Sequence, residues 1–424
     1  MSKPRSEFGF GHTFISFKDV FYNFFLPAQP DELVNSNERE QSVCSVLKGD
    51  VFLTRTSETF NELGMSSVAL KDYPNATFNG FTKRLRPINH SAVLPEYAGY
   101  YFRSSYFRNL MTSFTTMSTR ASLNNEILSK LHILLPPIAE QEVIGHHLKV
   151  LDDKIDLLRQ QNATLEAMAQ TLFRSWFVDF DPVIDNALDA GHPLPDALAA
   201  RVAKRKRVRA HDHYPRLPEA VRRLFPDRFV FSEELGKWVP AGWKSKKVSD
   251  SIIRLKVPTR YSKSEINTYG TFPVLEQGAD IVMGYLDSDP DFLASKDEPI
   301  CVFGDHTCIL ELSTVSFSLS SNIIPFQGKK IPTYWLYHAL NGKQKFEEYR
   351  RHWKELIFKD LLVPSIDLMQ NFSNLVDENY TSIDYNRNRI QTVRLLRDTL
   401  LPELISGKLS VENLSNAKKM VLDK

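Results

Sequence analysis

The sequence holds few residues whose types and spacing could carry out catalysis or bind a metal. It contains no G-x-x-x-x-G-K-[ST] run that would cradle nucleotide phosphates. The Phe-Gly-Phe-Gly run at 8–11 faintly resembles a glycine-rich cofactor loop, but no predicted strand precedes it, and a turn is the better interpretation. His146 and His147 are adjacent, so on a helix they point apart and cannot easily ligate one metal. No nucleophile and base are paired by spacing. The pattern therefore favours a protein that recognises a ligand over an enzyme that catalyses a reaction.

Hydrogen-bonding and cationic side chains instead collect beside predicted strands. GDVFLTRTSE (49–58) predicts a strand that enters a polar loop, and NGFTKRLRPI (79–88) predicts an alternating strand with three cations. EPICVFGDHT (298–307) and SLSSNIIPF (318–326) repeat these two strands in the same order, although the match needs gaps. Aromatic helices are predicted at 96–111 and 332–346, with an apolar stripe that favours core packing over a site.

A long helix must position these residues, because 136–179 carries an apolar heptad repeat when Ile144 is placed at position a. The a positions are Ile144, Leu151, Leu158, Leu165 and Leu172, and the d positions are Leu148, Ile155, Asn162, Ala169 and Trp176. Asn162 is the only polar residue among them, so the period of 3.5 is well supported. Pro136 and Pro137 fit a helix start, and Pro182 marks where the helix must have ended.

The partner for this helix lies 228 residues later in the same chain. That offset, without gaps, places Pro136 on Pro364, Ile138 on Ile366, Ile155 on Ile383, Asp156 on Asp384, Arg159 on Arg387 and Thr171 on Thr399. Two unrelated amphipathic helices would share some leucines but not these residue types as well. The chain is therefore predicted to contain two copies of one unit, a globular domain followed by a long helix.

Composition and charge set further limits. The 424-residue chain is too long for one core, its three cysteines lack a CxxC spacing and fit a reducing cytosol, and no apolar run approaches about 18 residues. The net charge of +2 is a sum of unequal parts. Residues 135–200 hold four Lys or Arg against eleven Asp or Glu, whereas residues 201–247 hold fourteen against five. The basic run at 204–209 could touch phosphates, but a solvated linker face is the better interpretation.

Several segments, in this order, resemble the specificity (S) subunit of Type I restriction–modification systems. They are LPPIAEQ (135–141), LDDKIDLLRQQN (151–162), SWFVDFDPV (175–183), LFPDRF with LGKWVPAGW (224–243) and LLRDTLLPELISGKL (395–409). Each segment alone is weak, and their order together with the repeat makes the resemblance specific. The Pro-x-Gly-Trp entry before the second domain has no counterpart before the first, so the first domain is expected to lack about 30 residues at its start.

The resemblance implies an α+β fold with two α/β target-recognition domains, separated by two long antiparallel helices in a coiled coil with a pseudo-twofold internal repeat. The implied boundaries are a first recognition domain at 1–134, a first helix at 135–180, a linker with a basic segment at 181–239, a second recognition domain at 240–363, a second helix at 364–410 and a tail at 411–424.

The resemblance also implies a cytoplasmic, non-catalytic subunit that reads a bipartite, asymmetric site in double-stranded DNA. It implies docking of two modification (methyltransferase) subunits, with restriction (translocase and endonuclease) subunits in the full complex. This chain would bind no cofactor or metal, and S-adenosylmethionine, ATP and Mg would be held by the partner subunits. The alternative is a coiled-coil scaffold that joins two protein-binding domains without nucleic acid.

Base reading needs Arg, Lys, Asn, Gln, Ser or Thr side chains on loops that face a groove. The candidates are Arg55, Thr56, Ser57, Lys83 and Arg84 in the first domain, and Arg254, Arg260, Tyr261, His306 and Asn322 in the second. For each of them, an ordinary surface residue is the alternative. Asp305, Glu311 and Lys329 do not have the compact spacing of a nuclease.

The heptad frame makes one geometric prediction. In the second helix the same frame gives a positions Phe372, Asn379, Asn386, Val393 and Leu400, and d positions Val376, Ile383, Ile390, Arg397 and Leu404. In an antiparallel pair, a positions of one helix layer with d positions of the other. Asn162 and Asn386 are therefore predicted to meet near the middle of the pair, with solvent or a partner subunit as the alternative contact for each amide.

Overall fold

Two long helices dominate the computed structural model, which describes residues 3–57, 62–114, 121–211, 213–214, 216–278 and 281–410. The predicted tail at 411–424 lies outside the described residues. The chain divides into two units, Met1–Asp156 with Thr392–Lys424, and Leu157–Gln391. Among the described residues, no helix is both long enough and apolar enough to cross a membrane.

Of the strands formed by the described residues, the first eight lie in the first unit and the other eleven lie in the second. They are β1 (Phe8–Ile15), β2 (Leu33–Val34), β3 (Val51–Thr54), β4 (Thr56–Ser57), β5 (Ser66–Val68), β6 (Thr77–Phe78), β7 (Thr82–Leu85), β8 (Ala121–Ser122), β9 (Phe229–Ser232), β10 (Lys237–Pro240), β11 (Lys244–Lys247), β12 (Ile252–Arg254), β13 (Phe272–Leu275), β14 (Val282–Leu286), β15 (Ile300–Gly304), β16 (Leu310–Ser313), β17 (Ser318–Leu319), β18 (Ile323–Gly328) and β19 (Asp360–Val363).

The α-helices of the described residues vary from single turns to forty residues. They are α1 (Phe17–Tyr22), α2 (Glu38–Val43), α3 (Pro95–Tyr101), α4 (Ser105–Ser113), α5 (Asn125–Lys130), α6 (Ile138–Phe173), α7 (Asp181–Ala190), α8 (Ala199–Arg209), α9 (Glu219–Arg222), α10 (Val248–Ser251), α11 (Thr333–Leu340), α12 (Trp353–Ile357) and α13 (Ile366–Ile405).

The predicted seam of α6 and α13 is confirmed by burial. All twenty predicted a and d positions are buried or half-buried, and none is exposed. In the second unit the partner numbers fall along α13 as they rise along α6. Asn162 bonds Asn386, the Leu165 carbonyl accepts from Asn379, and the Phe173 and Phe372 rings lie 5.6 Å apart. The helices are therefore antiparallel there, as predicted.

The predicted amide pair is also confirmed. The Asn386 Nδ2 donates to the Asn162 Oδ1 at 2.9 Å, and the Asn162 Nδ2 donates to the Ile383 carbonyl at 3.3 Å. Asn386 is only 8% exposed, so its amide needs a partner inside the protein. The bond fixes one layer of the seam, since a slipped register would bury both amides against apolar side chains.

We expect the Asn162→Ala variant to lose about 1–2 kcal/mol of unfolding free energy, because the Asn386 amide is left buried without its partner. Asn386→Ala should lose a similar amount, and the double variant should lose less than the sum by about 1 kcal/mol. Urea unfolding of the four chains measures this coupling. Asn374→Ala, at an exposed position of the same helix, is the control, and additive losses at 162 and 386 would contradict the pairing.

The two units share one strand plan. In the first unit β3 lies between β5 and β7, all antiparallel, while β1 pairs antiparallel with β2 and parallel with β6. In the second unit β15 lies between β16 and β18, while β13 pairs antiparallel with β14 and parallel with β17. The predicted mixed α+β repeat is thus present in the strand order as well as in the helices.

Two of the predicted helices are shorter than expected. The stretch 96–111 forms two helices, because the Ser104 side chain accepts from the Phe107 N–H and starts α4 as an N-cap. The stretch 332–346 is helical only through Leu340, and Gly342 follows with a φ of 75°. The predicted core role of their aromatic side chains holds, since Tyr97, Tyr100 and Trp335 are at most 1% exposed.

Each strand assembly is held to the long helices by polar contacts at the end of an aromatic helix. In the first unit the Tyr100 hydroxyl donates to the Asp152 carboxylate at 2.7 Å. In the second unit, His338 of α11 is 1% exposed, and its Nδ1 lies 2.7 Å from the Gln170 Oε1 while its Nε2 lies 3.0 Å from the Tyr380 hydroxyl. Burial lowers the pKa of His338 to about 3. A neutral ring can donate to Gln170 and accept from Tyr380, which fixes how the strands sit on the helix pair.

Candidate nucleic-acid interface

The registers of the two central strands define equivalent positions in the two units. Thr54 at the end of β3 pairs with Thr82, and Gly304 at the end of β15 pairs with Ile323. The residues that follow β3 and β15, and those that precede β7 and β18, therefore correspond. By this alignment Arg55 corresponds to Asp305, Thr56 to His306 and Phe81 to Asn322. The same backbone frame thus presents a different set of side chains in each unit.

In the first unit, Arg55 is exposed at the end of β3. Its main-chain N–H donates to the Phe81 carbonyl at 2.8 Å, and its carbonyl accepts from the Leu123 N–H at 2.8 Å. Thr56 and Ser57 form β4, which pairs with β8. These bonds hold the backbone of the predicted loop while the Arg55 side chain faces solvent, as a groove-reading arginine would require.

The two cations of β7 are placed differently. The Lys83 ammonium donates to the Asn125 Oδ1 at 2.7 Å and lies in the strand position opposite Leu53, next to the Arg55 end of the sheet. Arg84 points to the other face, where its Nη1 donates to the Ser45 carbonyl at 2.6 Å and its guanidinium lies over the Phe78 ring at 5.5 Å. Both cations therefore have a partner within the domain, and the two lie on opposite faces of the strand.

In the second unit the candidates follow one edge of the sheet. Residues 252–261 run antiparallel to residues 319–328, with Arg254 opposite Phe326 and the Tyr261 N–H donating to the Leu319 carbonyl at 3.0 Å. The Arg260 Nη1 donates to the Ser320 carbonyl at 2.6 Å. Partial burial and then the nearby charge of Arg254 lower the pKa of Arg260. The two arginines therefore form a local positive site that favours an anionic ligand.

His306 follows β15 and Asn322 precedes β18, so both lie at the same end of this strand pair. The Asp305 N–H donates to the Asn322 carbonyl at 2.9 Å, and Asn322 has a φ of 62°, a left-handed conformation that asparagine tolerates. The His306 N–H donates to the Gln277 Oε1 at 3.0 Å, and its ring stacks on Tyr349 with centroids 4.7 Å apart. The His306 Nδ1 is buried without a partner among the described residues.

Sequence reasoning missed several residues at these two sites. Phe81 is 66% exposed beside Arg55, Tyr349 is 78% exposed on His306, and the Arg351 side chain is 76% exposed near Asp305. The Asn79–Gly80 turn before Phe81 was a usable signal, since an exposed aromatic next to a turn suits stacking on a ligand. Tyr349 and Arg351 lie in a charged run whose relation to His306 only the fold reveals.

Two arginines of the basic run in α8 form ion pairs with carboxylates of α7. Arg205 makes two bonds, of 2.9 and 2.6 Å, with the Asp185 carboxylate of α7, and Arg209 pairs with Asp189. Lys204, Lys206 and Arg207 are exposed on the same helix. The arginines thus fasten α8 to α7, and only part of the predicted positive charge faces solvent.

The described residues contain no group of three or more His, Cys, Asp or Glu side chains that could hold a metal ion. Cys301 is fully buried, and that burial raises the pKa of its thiol well above the usual value. A thiol in this state is a poor nucleophile. The candidate sites therefore offer hydrogen bonds, positive charge and aromatic surfaces.

Known proteins resemble this chain over most of its length. The model of the Type I restriction modification DNA specificity domain matches residues 14–167. The Type I restriction enzyme MjaIX specificity subunit of Methanocaldococcus jannaschii is 24% identical over 408 residues, which cover 90% of this chain and 83% of that protein. The Type I restriction enzyme HindI specificity subunit of Haemophilus influenzae is 32% identical over 275 residues, covering 59% of this chain and 57% of that protein.

A solved structure of the Type I restriction–modification S subunit from M. genitalium covers 94% of this chain and 94% of its own, with 13% identity and a TM-score of 0.44. The HsdS subunit from Thermoanaerobacter tengcongensis covers 94% of this chain and 91% of its own, with 13% identity and a TM-score of 0.32. The matched domain model and the specificity subunits similar in sequence support the resemblance of this chain to Type I restriction–modification specificity subunits.

Proposed function

We propose that this chain reads a bipartite, asymmetric site in double-stranded DNA as the non-catalytic specificity subunit of a Type I restriction–modification complex. The observation that carries the proposal is the pair of equivalent strand frames that differ in side chains. Arg55 stands where the second unit has Asp305, and Phe81 stands where it has Asn322. Two copies of one frame with different side chains suit two different half-sites. The similarity to Type I specificity subunits disfavours the alternative of a protein scaffold without nucleic-acid binding.

The reading chemistry follows from the donors at each site. Arg55 can donate two hydrogen bonds to the O6 and N7 of guanine, and Lys83 can reach a phosphate or the same base edge. Asn322 can pair with the N6 and N7 of adenine, and Arg254 with Arg260 can neutralise phosphates. Phosphate contacts position the protein and base contacts select the sequence. Each unit supplies both kinds of contact from one edge.

The proposed domain boundaries place recognition at 1–134 and 240–363 and the long helices at 135–180 and 364–410. The strands described above support the first two ranges, and α6 and α13 lie inside the last two. Residues 181–239 would link the first helix to the second recognition domain, with α8 bound to α7.

Two modification (methyltransferase) subunits are the proposed partners of the helices. Large apolar side chains remain exposed on both, including Val150, Leu157 and Met168 on α6 and Leu375 and Leu396 on α13. Exposed apolar surface on a helix pair whose seam is already filled suits docking of another protein. The restriction subunits would join this assembly, in the cytoplasm, and the cofactors S-adenosylmethionine, ATP and Mg would be held by the partners.

We expect the reconstituted complex to contain two methyltransferase subunits for each copy of this chain, because the 228-residue repeat supplies two related docking faces. Native mass measurement at saturating partner concentration gives the ratio. A gel shift with mixed-sequence duplex, with and without the partner, tests DNA binding in the same preparation.

A variant with Leu375→Glu tests one docking face, because it places a charge on an exposed side of α13 outside the seam. It should reduce the ratio toward one while the thermal unfolding of the chain alone is unchanged. A ratio of one for the unaltered chain would contradict the two-partner proposal. A complex that assembles but shifts no duplex would contradict the DNA-reading proposal and leave the scaffold alternative.

A further inference from the structure

The second unit has a carboxylate at the strand position where the first unit has an arginine. Asp305 follows β15 as Arg55 follows β3, by the paired registers described above. Arg55 is exposed, whereas Asp305 is 8% exposed and its Oδ1 accepts from the Trp353 N–H at 2.9 Å. Because a carboxylate repels DNA phosphates, this position needs a nearby cation before it can face DNA.

Arg351 supplies that cation from a different loop, the one between α11 and α12. Its Nε lies 3.9 Å from the Asp305 Oδ2, and its side chain is 76% exposed. The Nη1 and Nη2 of Arg351 have no hydrogen-bond partner among the described residues. Both units therefore have an exposed guanidinium at the end of the central strand, carried by Arg55 in the first and by Arg351 in the second.

Contacts on either side of Arg351 hold its backbone at this position. The His352 N–H donates to the Asp305 carbonyl at 2.8 Å, and the His352 side chain is fully buried. Two residues before Arg351, the Tyr349 ring stacks on His306 with centroids 4.7 Å apart. The backbone of Arg351 is therefore fixed while its side chain extends into solvent, an arrangement that limits the conformational entropy lost when a ligand binds.

The adjacent Arg350 has three carboxylate partners, which distinguishes it from Arg351. Its Nη2 lies 3.2 Å from the Glu347 Oε2 and 3.0 Å from the Glu355 Oε1, and its Nε lies 3.3 Å from the Glu348 Oε1. These carboxylates neutralise the charge of Arg350. Of the two neighbouring arginines, Arg351 is therefore the one whose guanidinium is available to DNA.

We propose that Arg351 is the base-reading arginine of the second unit and that Asp305 is the residue that positions it, an inference that rests on the DNA-reading function proposed above. Because the Nε faces the carboxylate, the two terminal nitrogens can donate to the O6 and N7 of one guanine in the half-site that the second unit reads. Asp305 acts through Arg351 and contacts no base. The two units thus present an arginine at the same strand position by different routes.

The reconstituted complex with its methyltransferase partners tests this by selection from a duplex library randomised at both half-sites. Arg351→Ala should remove a guanine preference at one position of one half-site, weaken binding to the preferred duplex about 10- to 100-fold and leave the other half-site unchanged. Arg351→Lys keeps the charge but lacks the planar fork, so it should lose the same preference with an unchanged salt dependence. Lys354→Ala, at an exposed position of α12, is the control and should change neither preference.

A second variant tests the positioning role. Asp305→Asn keeps an acceptor for the Trp353 N–H and removes the charge that faces Arg351. It should weaken the same guanine preference about 3- to 10-fold and cause no further loss in the Arg351→Ala chain. A purely structural role of Asp305 would instead lower binding to all sequences equally and would add to the loss from Arg351→Ala.

The outcomes separate this inference from the function on which it rests. An equal loss for all sequences from Arg351→Ala would assign Arg351 to phosphate contact and overturn the proposal. A base preference lost in Asp305→Asn but kept in Arg351→Ala would make Asp305 the reader, as an acceptor from the N4 of cytosine, and would also overturn it. A sequence-selective complex that Arg351→Ala leaves unchanged contradicts this inference alone. An unaltered complex that selects no sequence contradicts the DNA-reading function as well.

Discussion

Replacing Arg387 by methionine is expected to lower the free energy of unfolding by about 3 kcal/mol, because it leaves one buried and one half-buried carboxylate without their cation. Its Nη2 lies 2.6 Å from the Glu311 Oε1, and its Nη1 lies 3.0 Å from the Asp384 Oδ1. Asp384 is 4% exposed and also accepts from the Thr314 N–H at 2.9 Å. This group ties β16 to α13, so the loss should loosen the second recognition domain on its helix.

Lowering the pH should reduce the unfolding free energy that the Arg387→Met substitution removes. Burial raises the pKa of Glu311, and Arg387 opposes that effect, so the variant should have a still higher pKa at this carboxyl. A folded-state pKa above the unfolded one means that stability is lost as pH rises through it. The difference between the two chains should therefore shrink from pH 7 toward pH 5, as urea unfolding at each pH will measure.

The matched control is Arg389→Met, two residues along the same helix. Arg389 is exposed and its guanidinium lies over the exposed Tyr385 ring at 5.7 Å. We expect a change within about 0.5 kcal/mol. An equal loss from the two substitutions would mean that Arg387 acts as an ordinary surface cation.

The second large expected effect is on the recognition of DNA sequence. In the reconstituted complex, Arg55→Ala is expected to weaken binding to the preferred duplex about 10- to 100-fold, because a bidentate arginine–guanine contact discriminates by about 1–3 kcal/mol. Sequence preference should relax in one half-site and stay unchanged in the other. Asn322→Ala should do the reverse. Selection from a duplex library randomised at both half-sites measures the two preferences separately.

Lys204→Ala is the control for this experiment, since Lys204 is exposed on α8 outside both sites. It should weaken binding slightly and equally for all sequences, with a salt dependence reduced by about one ion at most. A uniform loss from Arg55→Ala, without relaxed preference, would assign that residue to phosphate contact. Loss of preference in both half-sites from either variant would contradict separate reading by the two units.

The seam was predictable because its signal is local. A heptad places its residues by sequence spacing alone, and the 228-residue offset supplied the partner helix together with its register. The Asn162–Asn386 bond followed from those two facts and the antiparallel direction. Strand order was predictable for a related reason, since the second copy repeats the first.

The reading sites were only partly predictable, because strand neighbours far apart in sequence decide which cations face solvent. Lys83 and Arg84 are adjacent and alike in sequence, yet Lys83 bonds the Asn125 side chain and Arg84 bonds the Ser45 carbonyl on the other face of the strand. The stacking of His306 on Tyr349 joins residues more than forty positions apart. The split of the 96–111 helix depended on a single capping serine.

The Asn162–Asn386 layer also bears on how the chain tells its own helices from those of another copy. The repeat offset equates Asn162 with Ile390 and Asn386 with Leu158. If two first helices from different copies paired antiparallel about the same midpoint, Asn162 would face Leu158, and two second helices would set Asn386 against Ile390. Each such layer leaves a buried amide without a hydrogen-bond partner, at a free-energy cost of about 1–3 kcal/mol, and a symmetric dimer contains two such layers. The Asn162–Asn386 layer therefore favours pairing of the two helices within one chain over exchange of helices between chains.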